Sequence, residues 1–195
     1  MCKGFEILQY GTHNDYMLWF IHRVNQKLLA ANELDIILKE VLEMANIINK
    51  NLIKLNINNN SKDGVIKILA KLIKDENRLN NYDEYVEEVL HRESLTTTGI
   101  GYGIAIPHGK CKAVEVPTVA VGRISKGVEW ESLDDNPVQV VFLLAVPEEA
   151  ASDQHLRILA ALSRKLMNEE FRHELFNSVD EEKLLELLSN VFKGI

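Results

Sequence analysis

One histidine, His108, lies in the part of this 195-residue chain where glycine is most concentrated. The sequence from Thr98 to Lys110 is Thr-Gly-Ile-Gly-Tyr-Gly-Ile-Ala-Ile-Pro-His-Gly-Lys. The proline before His108 fixes the local backbone and the glycine after it leaves one side of the ring uncovered, so we expect the imidazole to be reachable from outside. Free imidazole has a pKa of about 6.5 and is mostly an uncharged nucleophile at neutral pH. It can therefore accept a phosphoryl group without a strong general base, and this stretch predicts such an acceptor.

A phosphoryl group on His108 needs compensation for the roughly -1.5 to -2 charge that it brings. Ser152 opens an apolar helical pattern as its predicted N-cap, which puts His155 in the first helical turn, where free N–H groups and the helix dipole favour anions. Arg92, at a predicted helix end before the glycine-rich stretch, has a guanidinium that can hold phosphate oxygens in a fork. Lys110 is a weaker additional candidate. His108, His155 and Arg92 are therefore our candidates for a catalytic set, although His155 taken alone is equally a polar residue of a first helical turn and Arg92 a surface ion-pair residue.

The glycines around His108 predict a shaped loop. Gly99, Gly101, Gly103 and Gly109 are backbone-permissive positions, and together with Lys110 they are our candidates for a loop that contacts phosphate or a partner. No Gly-Lys-Ser/Thr sequence follows them, and they do not match the dinucleotide-binding fingerprint. The glycines alone therefore do not identify a nucleotide site.

The rest of the chain predicts helices and strands in mixed order. Helical periodicity appears from Leu18 to Ile48, where we expect a helical hairpin, and again later in the chain. Strands are expected at 52–57, 117–124 and 138–146; helices are expected after an N-cap at Ser61 and at 82–91, 152–167, 169–176 and 180–192; turns are expected at 125–127 and 134–137. This mixing is typical of an α/β fold in which a sheet lies between helix layers.

Composition limits the classes of function. The formal net charge is -7, without a dense cluster of Lys and Arg, which disfavours nucleic acid as a partner. The two cysteines, Cys2 and Cys111, are too few for a disulfide framework, and no apolar run reaches the roughly 20 residues that a bilayer span requires. We expect a cytoplasmic protein without direct membrane insertion.

At these positions the sequence resembles the enzyme IIA components of the fructose–mannitol class of the bacterial sugar phosphotransferase system, including their nitrogen-regulatory relatives. The run that ends at His108 is similar to the phosphorylation-site motif of that family, and Arg92–Leu95 supplies its usual Arg-Glu-x-Leu. Pro147–Glu149 and His155–Ser163 resemble the family's second-histidine helix.

The resemblance covers about residues 52–192 and carries several implications. It implies a mixed sheet, phosphate transfer to His108 from the histidine-containing phosphocarrier protein, and onward transfer to a cysteine of an enzyme IIB that works with a membrane enzyme IIC. It also implies that His155 and Arg92 steady the phosphoryl oxygens, and it implies no cofactor. We predict a type-2 enzyme IIA domain over 51–195 and an N-terminal helical extension over 1–50, through which the chain is a candidate homo-oligomer.

Two other interpretations remain open at the level of sequence. The chain could be a regulator whose phosphorylation state controls another protein, which would suit the helical extension. It could also be a metalloprotein in which His108, Cys111 and His155 bind zinc, although structural zinc sites usually have four ligands. The transported sugar, whether fructose, mannitol or another, cannot be identified from these residues.

Overall fold

A computed structural model describes residues 47–149 and 152–192, with the backbone alone described at 152–155. The elements are a 3-10 turn (Lys50–Leu52), β1 (Ile53–Ile57), α1 (Lys62–Asp75), α2 (Tyr82–Leu95), β2 (Gly99–Gly101), β3 (Ile104–Ala105), β4 (His108–Cys111), β5 (Thr118–Val128), β6 (Val138–Pro147), α3 (Ser152–Leu166), α4 (Glu169–Asn177) and α5 (Glu181–Phe192). The hairpin predicted from Leu18 to Ile48, and all but the end of the predicted 1–50 extension, lie outside the described residues.

The strands form one six-stranded mixed sheet with β6 near its centre. On one side β6 pairs antiparallel with β5, which in turn pairs parallel with β1. On the other side β6 pairs parallel with both β3 and β4, and β2 completes the sheet beside β3. Ile104 pairs with Val140 and His108 pairs with Leu144, so the register is the same for β3 and β4. They are two parts of one strand, interrupted just before His108.

Both faces of this sheet are covered by helices. A Cβ added to Gly122 of β5 would lie 2.6 Å from Ile57 and 3.0 Å from Leu69 of α1. The next residue, Arg123, donates from Nη1 to the carbonyl oxygen of Phe176 in α4, at 3.0 Å. Successive strand residues face opposite sides of a sheet, so α1 and α4 lie on opposite faces. The predicted α/β fold, with a mixed sheet between helices, is confirmed.

The N-caps predicted at Ser61 and Asp180 are seen in the structure, whereas Ser152, also predicted as an N-cap, is itself the first residue of α3. Ser61 Oγ accepts a hydrogen bond from the Gly64 N–H at 3.2 Å and begins α1. Asp180 Oδ1 accepts from the Lys183 N–H at 2.8 Å at the start of α5. These side chains satisfy N–H groups that have no partner within the helix.

Two local predictions were wrong. The glycine-rich stretch before His108 forms β2 and β3 rather than a loop, because pairing with β6 organises it; only its turn, with Gly101 at φ 87° and Gly103 at φ 71°, needs glycine conformations. The turn predicted at 125–127 lies inside β5, where Gly127 at φ 69° accompanies a register shift against β6. Both errors follow from sequence signals of flexibility that sheet pairing overrides.

No helix within 47–149 or 152–192 has the length and apolar character needed to cross a membrane.

Candidate active site

His108 is the first residue of β4, and its side chain is half-buried. Side chains alternate along a strand, so His108 and Lys110 lie on one side of β4 while Gly109 and Cys111 lie on the other. Burial follows this alternation, with Lys110 exposed and Cys111 buried. The imidazole is therefore presented at the sheet surface by a strand that β6 holds in register.

Gly109 allows α2 to pack closely against β4. A Cβ at this position would lie 2.8 Å from Val89 Cγ2 and 3.1 Å from Tyr85 Cε2, both on α2. The hydroxyl of Tyr85 donates to the carbonyl oxygen of Leu144 at 3.0 Å, and Leu144 is the residue of β6 that pairs with His108. These contacts bring the C-terminal end of α2 to the imidazole.

Arg92, in the last turn of α2, reaches that imidazole. Its Nε donates to Nε2 of His108 at 3.1 Å, and its Nη1 donates to the carbonyl oxygen of Thr96 at 3.0 Å. Two of the three predicted catalytic residues are thus in direct contact, although they come from a helix and a strand separated in sequence.

The partners of the two ring nitrogens define the tautomer of His108. A guanidinium can only donate hydrogen bonds, so Nε2 must accept from Arg92 and carry no proton. Nδ1 lies 3.0 Å from the carbonyl oxygen of Ile106, which can only accept, so the ring proton is on Nδ1. The neutral imidazole therefore presents an unprotonated Nε2.

The surroundings of His108 favour this neutral form. Desolvation by burial is the main cause that lowers the pKa of His108 below its ordinary value. The hydrogen bond to the Ile106 carbonyl opposes this shift, the positive charge of Arg92 adds to it, and the negative charge of Glu93 opposes it. The net result keeps Nε2 available as a nucleophile at neutral pH.

Only the backbone position of His155, the third predicted catalytic residue, is described. The helix α3 begins at Ser152, which places His155 in its first turn, as expected. Strand β6 leads from Leu144, beside His108, to Pro147, and α3 begins five residues later. The side chain of His155 lies outside the described residues, so its role stays a prediction.

The predicted loop residues occupy different parts of this region. Gly109 adjoins His108, and Lys110 is exposed on the same side of β4 as the imidazole. The carbonyl oxygen of Gly103 accepts from the N–H of Val140, four residues along β6 from the partner of His108, which corresponds to about 13 Å. Gly101 is in the same turn as Gly103, and a Cβ there would meet Asp134.

Gly99 is packed against Ser132, whose Oγ would lie 2.6 Å from an added Cβ. Close packing against Ser132 explains the glycine at position 99, and the positive φ of the turn explains those at 101 and 103. Of the four predicted loop glycines, the structure brings only Gly109 next to His108. Participation of the other three in binding phosphate or a partner stays a prediction.

A further residue at this site, Glu93, was part of the Arg-Glu-x-Leu motif but was given no role from the sequence. It is only 5% exposed, and its carboxylate accepts hydrogen bonds from the N–H (3.1 Å) and the hydroxyl of Thr98. The predicted helix ended at His91, whereas α2 continues to Leu95 and carries Glu93 on its buried face. The spacing of Glu93 from Val86 and Val89 of the same buried face was the signal that could have identified it.

The geometry does not pair His108 with Cys111 as zinc ligands. The two residues are an odd number of positions apart on β4, so their side chains face opposite sides of the strand. Burial raises the pKa of the Cys111 thiol, which disfavours the thiolate that zinc binds. Over 47–149 and 156–192, no three His, Cys, Asp or Glu side chains form a group able to hold a metal ion.

Comparison with known proteins gives the family of this fold and site. Residues 46–191 match the family model described as the phosphoenolpyruvate-dependent sugar phosphotransferase system, EIIA 2. A fructose-specific EIIA component from Haloferax volcanii is 37% identical over 152 residues, which cover 78% of this chain and 98% of that protein. A fructose-specific EIIABC component from Bacillus subtilis is 38% identical over 148 residues, or 76% of this chain, and this chain spans only 23% of its length.

Among solved structures, the nitrogen regulatory protein IIA-Ntr from Neisseria meningitidis superposes with a TM-score of 0.68 at 30% identity. The superposition covers 73% of this chain and 96% of that one. The resemblance inferred from the sequence around His108 is thereby confirmed. The chain belongs to the EIIA type-2 family and is a phosphotransferase component of the phosphoenolpyruvate-dependent sugar phosphotransferase system.

Proposed function

We propose that Nε2 of His108 is the atom that accepts and donates the phosphoryl group. Its lone pair attacks the phosphorus carried by the donor, a new N–P bond forms at Nε2, and the bond from phosphorus to the donor's nitrogen breaks. No proton has to leave Nε2, because the ring proton is on Nδ1. The observation that carries this assignment is the pair of hydrogen bonds that leaves Nε2 unprotonated and facing Arg92.

Arg92 then has two successive partners. Before transfer its Nε contacts the Nε2 lone pair; after transfer that lone pair is in the N–P bond, and the guanidinium moves to the phosphoryl oxygens. The bond from Nη1 to the Thr96 carbonyl keeps the side chain close to the site during this change. We further propose that His155 donates to the same oxygens from the first turn of α3, where free N–H groups also favour an anion.

The carbonyl oxygen of Ile106 favours onward transfer. A phosphorylated ring that keeps its proton on Nδ1 carries a positive charge. When the N–P bond breaks, this ring leaves as neutral imidazole, which is a better leaving group than the imidazolate anion that a deprotonated ring would give. The 3.0 Å contact from Nδ1 to this oxygen stabilises that proton. When the acceptor attacks phosphorus, the electron pair of the N–P bond returns to Nε2 and restores the neutral tautomer.

We propose that the phosphoryl donor and acceptor are those that the family resemblance implies. The donor is the histidine-containing phosphocarrier protein, and the acceptor is a cysteine of an enzyme IIB that serves a membrane enzyme IIC. The combined name of the Bacillus subtilis relative, an EIIABC component, supports IIB and IIC as the adjoining functions. We place the reaction in the cytoplasm.

Labelling with radioactive phosphoenolpyruvate, enzyme I and the phosphocarrier protein tests the acceptor. We expect the wild-type chain to be labelled, His108→Ala to stay unlabelled, and His91→Ala, which replaces an exposed histidine of α2, to be labelled like the wild type. Equal labelling of His108→Ala and wild type would refute the assignment.

A regulatory output is the second candidate, and the similarity to the nitrogen regulatory protein of Neisseria meningitidis favours it. The same phosphohistidine would then report phosphate supply to another protein. Complementation of sugar uptake in a strain without its own EIIA separates the two functions. Restored uptake, lost again in His108→Ala, supports transport; labelling without restored uptake supports regulation.

A further inference from the structure

Two neighbouring side chains at the end of α2 form hydrogen bonds to the segment that connects α2 and β2. Arg92 donates to the carbonyl oxygen of Thr96, and Glu93 accepts from the N–H and hydroxyl of Thr98. The two side chains leave the helix in different directions, one toward His108 and one into the interior. The position of Arg92 thus depends on a backbone segment that Glu93 holds.

The carboxylate of Glu93 is embedded in a connected buried network. The hydroxyl of Thr98 accepts a hydrogen bond from Nε1 of the fully buried Trp130 at 3.3 Å while it donates to Glu93. Lys62 Nζ, at the start of α1, lies 3.5 Å from Glu93 Oε1 and compensates its negative charge. A buried carboxylate is costly unless it is paired and hydrogen-bonded, and this one has both kinds of partner.

We propose that Glu93 is a positioning residue for phosphoryl transfer, which acts by holding the Thr96–Thr98 segment so that Arg92 is directed at Nε2 of His108. This proposal rests on the proposed function of His108. Glu93 itself does not touch the imidazole through any described hydrogen bond, and its hydrogen bonds all go to Thr98. Its effect on the reaction must therefore pass through Arg92.

Glu93→Gln is the informative change because it keeps the shape of the side chain. The amide has only one acceptor oxygen for the two donors of Thr98, and its NH2 group would face the other donor. The Thr96–Thr98 segment loses one hydrogen bond, while Lys62 keeps its ion pair with Glu131 at 3.2 Å. Glu87→Gln is the matched control, since it removes the same charge from an exposed position on the same helix.

A double-mutant cycle on the initial rate of labelling tests whether Glu93 acts through Arg92. We expect Glu93→Gln to slow labelling by about tenfold to a hundredfold in the wild-type background. In an Arg92→Gln background, where there is no guanidinium to position, it should slow labelling by less than about threefold. Equal effects in both backgrounds would overturn the proposal.

The pKa of His108, measured by NMR titration of the ring nitrogens, gives a second readout that does not need activity. Loss of the Glu93 charge alone would lower this pKa, because that charge raises it, whereas withdrawal of the Arg92 guanidinium would raise it. The two effects oppose each other, so the change in the pKa of His108 caused by Glu93→Gln is compared in the wild-type and Arg92→Gln backgrounds. We expect a smaller fall, or a rise, where Arg92 is present; an equal fall in both backgrounds would mean that Glu93 acts only as a nearby charge, which contradicts the proposal.

Two controls keep the test decisive. If circular dichroism shows that Glu93→Gln does not fold, Thr98→Val replaces it, because it removes the same hydroxyl hydrogen bond and leaves the carboxylate paired with Lys62. We expect Thr98→Val to slow labelling by less than Glu93→Gln, with the same dependence on Arg92. If His108→Ala is still labelled, the function proposed for His108 fails, while the titration still tests whether Glu93 positions Arg92.

Discussion

The two ring nitrogens of His108 have different partners, and this difference decides which nitrogen reacts. Nδ1 donates to the backbone carbonyl oxygen of Ile106, between β3 and β4, whereas Nε2 accepts from the guanidinium at the end of the Arg92 side chain. The first contact sets the tautomer, and the second can be exchanged for contacts to phosphate. These two contacts together leave Nε2 of His108 as the nucleophilic atom.

Arg92→Lys tests the need for a guanidinium. Lysine keeps the charge but cannot bond the Thr96 carbonyl and two phosphoryl oxygens from one planar group, so we expect the rate of labelling to fall about tenfold or more. Rapid-quench measurement of labelling checks this. Arg164→Lys, an exposed position near the end of α3, is the matched control and should leave the rate unchanged; an unchanged rate in Arg92→Lys would show that charge alone suffices.

The lowered pKa of His108 predicts a dependence of stability on pH. The folded pKa lies below the unfolded value of about 6.5, so the unfolded chain binds more protons between the two values. The contribution of His108 is fully present above about pH 6.5 and is lost as the pH falls from there through the folded pKa.

Urea unfolding of the wild type and His108→Gln at several pH values measures this contribution. The free energy of unfolding of the wild type should fall more steeply below about pH 6.5 than that of His108→Gln, because other groups titrate alike in both. Parallel curves would mean that folding does not perturb His108.

At the scale of elements, the contact between α2 and β4 builds the site. Three features meet there: the absence of a side chain at Gly109, the buried hydroxyl of Tyr85 on the Leu144 carbonyl, and the pairing of His108 with Leu144. Together they fix the distance between the helix end and the strand. The Arg92–His108 contact is a consequence of that distance.

Gly109→Ala should therefore damage both stability and transfer. The new methyl would meet Val89 at 2.8 Å and Tyr85 at 3.1 Å, so α2 must shift away from β4. We expect a loss of about 1–3 kcal/mol in the free energy of unfolding and slower labelling. Chemical denaturation and labelling measure the two effects.

Two variants control the Gly109→Ala experiment. Gly64→Ala adds the same methyl near the start of α1, where the Cβ would overlap the Asn59 side-chain amide; Asn59 must shift and some stability is lost, but labelling should keep the wild-type rate. Adding Val89→Ala to Gly109→Ala should recover part of the labelling rate by making room for the methyl. Wild-type rate and stability in Gly109→Ala would show that this approach does not position Arg92.

The sequence predicted the elements with strong patterns and missed those defined by pairing. Strands 138–146 and 52–57 and the helices after Ser61 and around 152–192 carry long apolar patterns, and their observed ends differ by only a few residues. Strands β2 and β3 have three and two residues, too few for any period, and exist because β6 provides their partner. Glu93 was missed for a different reason: the predicted helix stopped at His91, so the spacing of Glu93 from Val86 and Val89 was not used, and its hydrogen bonds to Thr98 are a tertiary contact.

At the scale of the whole molecule, the first residues that the structure describes within the family match already belong to the packed core. The match covers 46–191, and Ile47 and Ile48 are buried at 7% and 6% exposure. The carbonyl oxygen of Ile47 also accepts from the N–H of Val119 in β5 at 2.8 Å. Ile47 and Ile48, which we assigned to the extension from sequence, therefore contribute to the core of this unit.

Truncation at two points separates the extension from the core. A chain that begins at Ala45 keeps Ile47, Ile48 and every described residue of the site, so we expect it to be labelled on His108 at the rate of the full chain. A chain that begins at Asn51 loses both isoleucines and the bond to Val119, and we expect its free energy of unfolding to fall by about 3 kcal/mol or more. Urea unfolding of both chains measures the difference, and equal stability would mean that burial of Ile47 and Ile48 does not stabilise the fold.

Light scattering tests the extension itself. The apolar stripe predicted over 18–48 leads us to expect self-association that the chain beginning at Ala45 loses. A monomeric full-length chain at high concentration would contradict this.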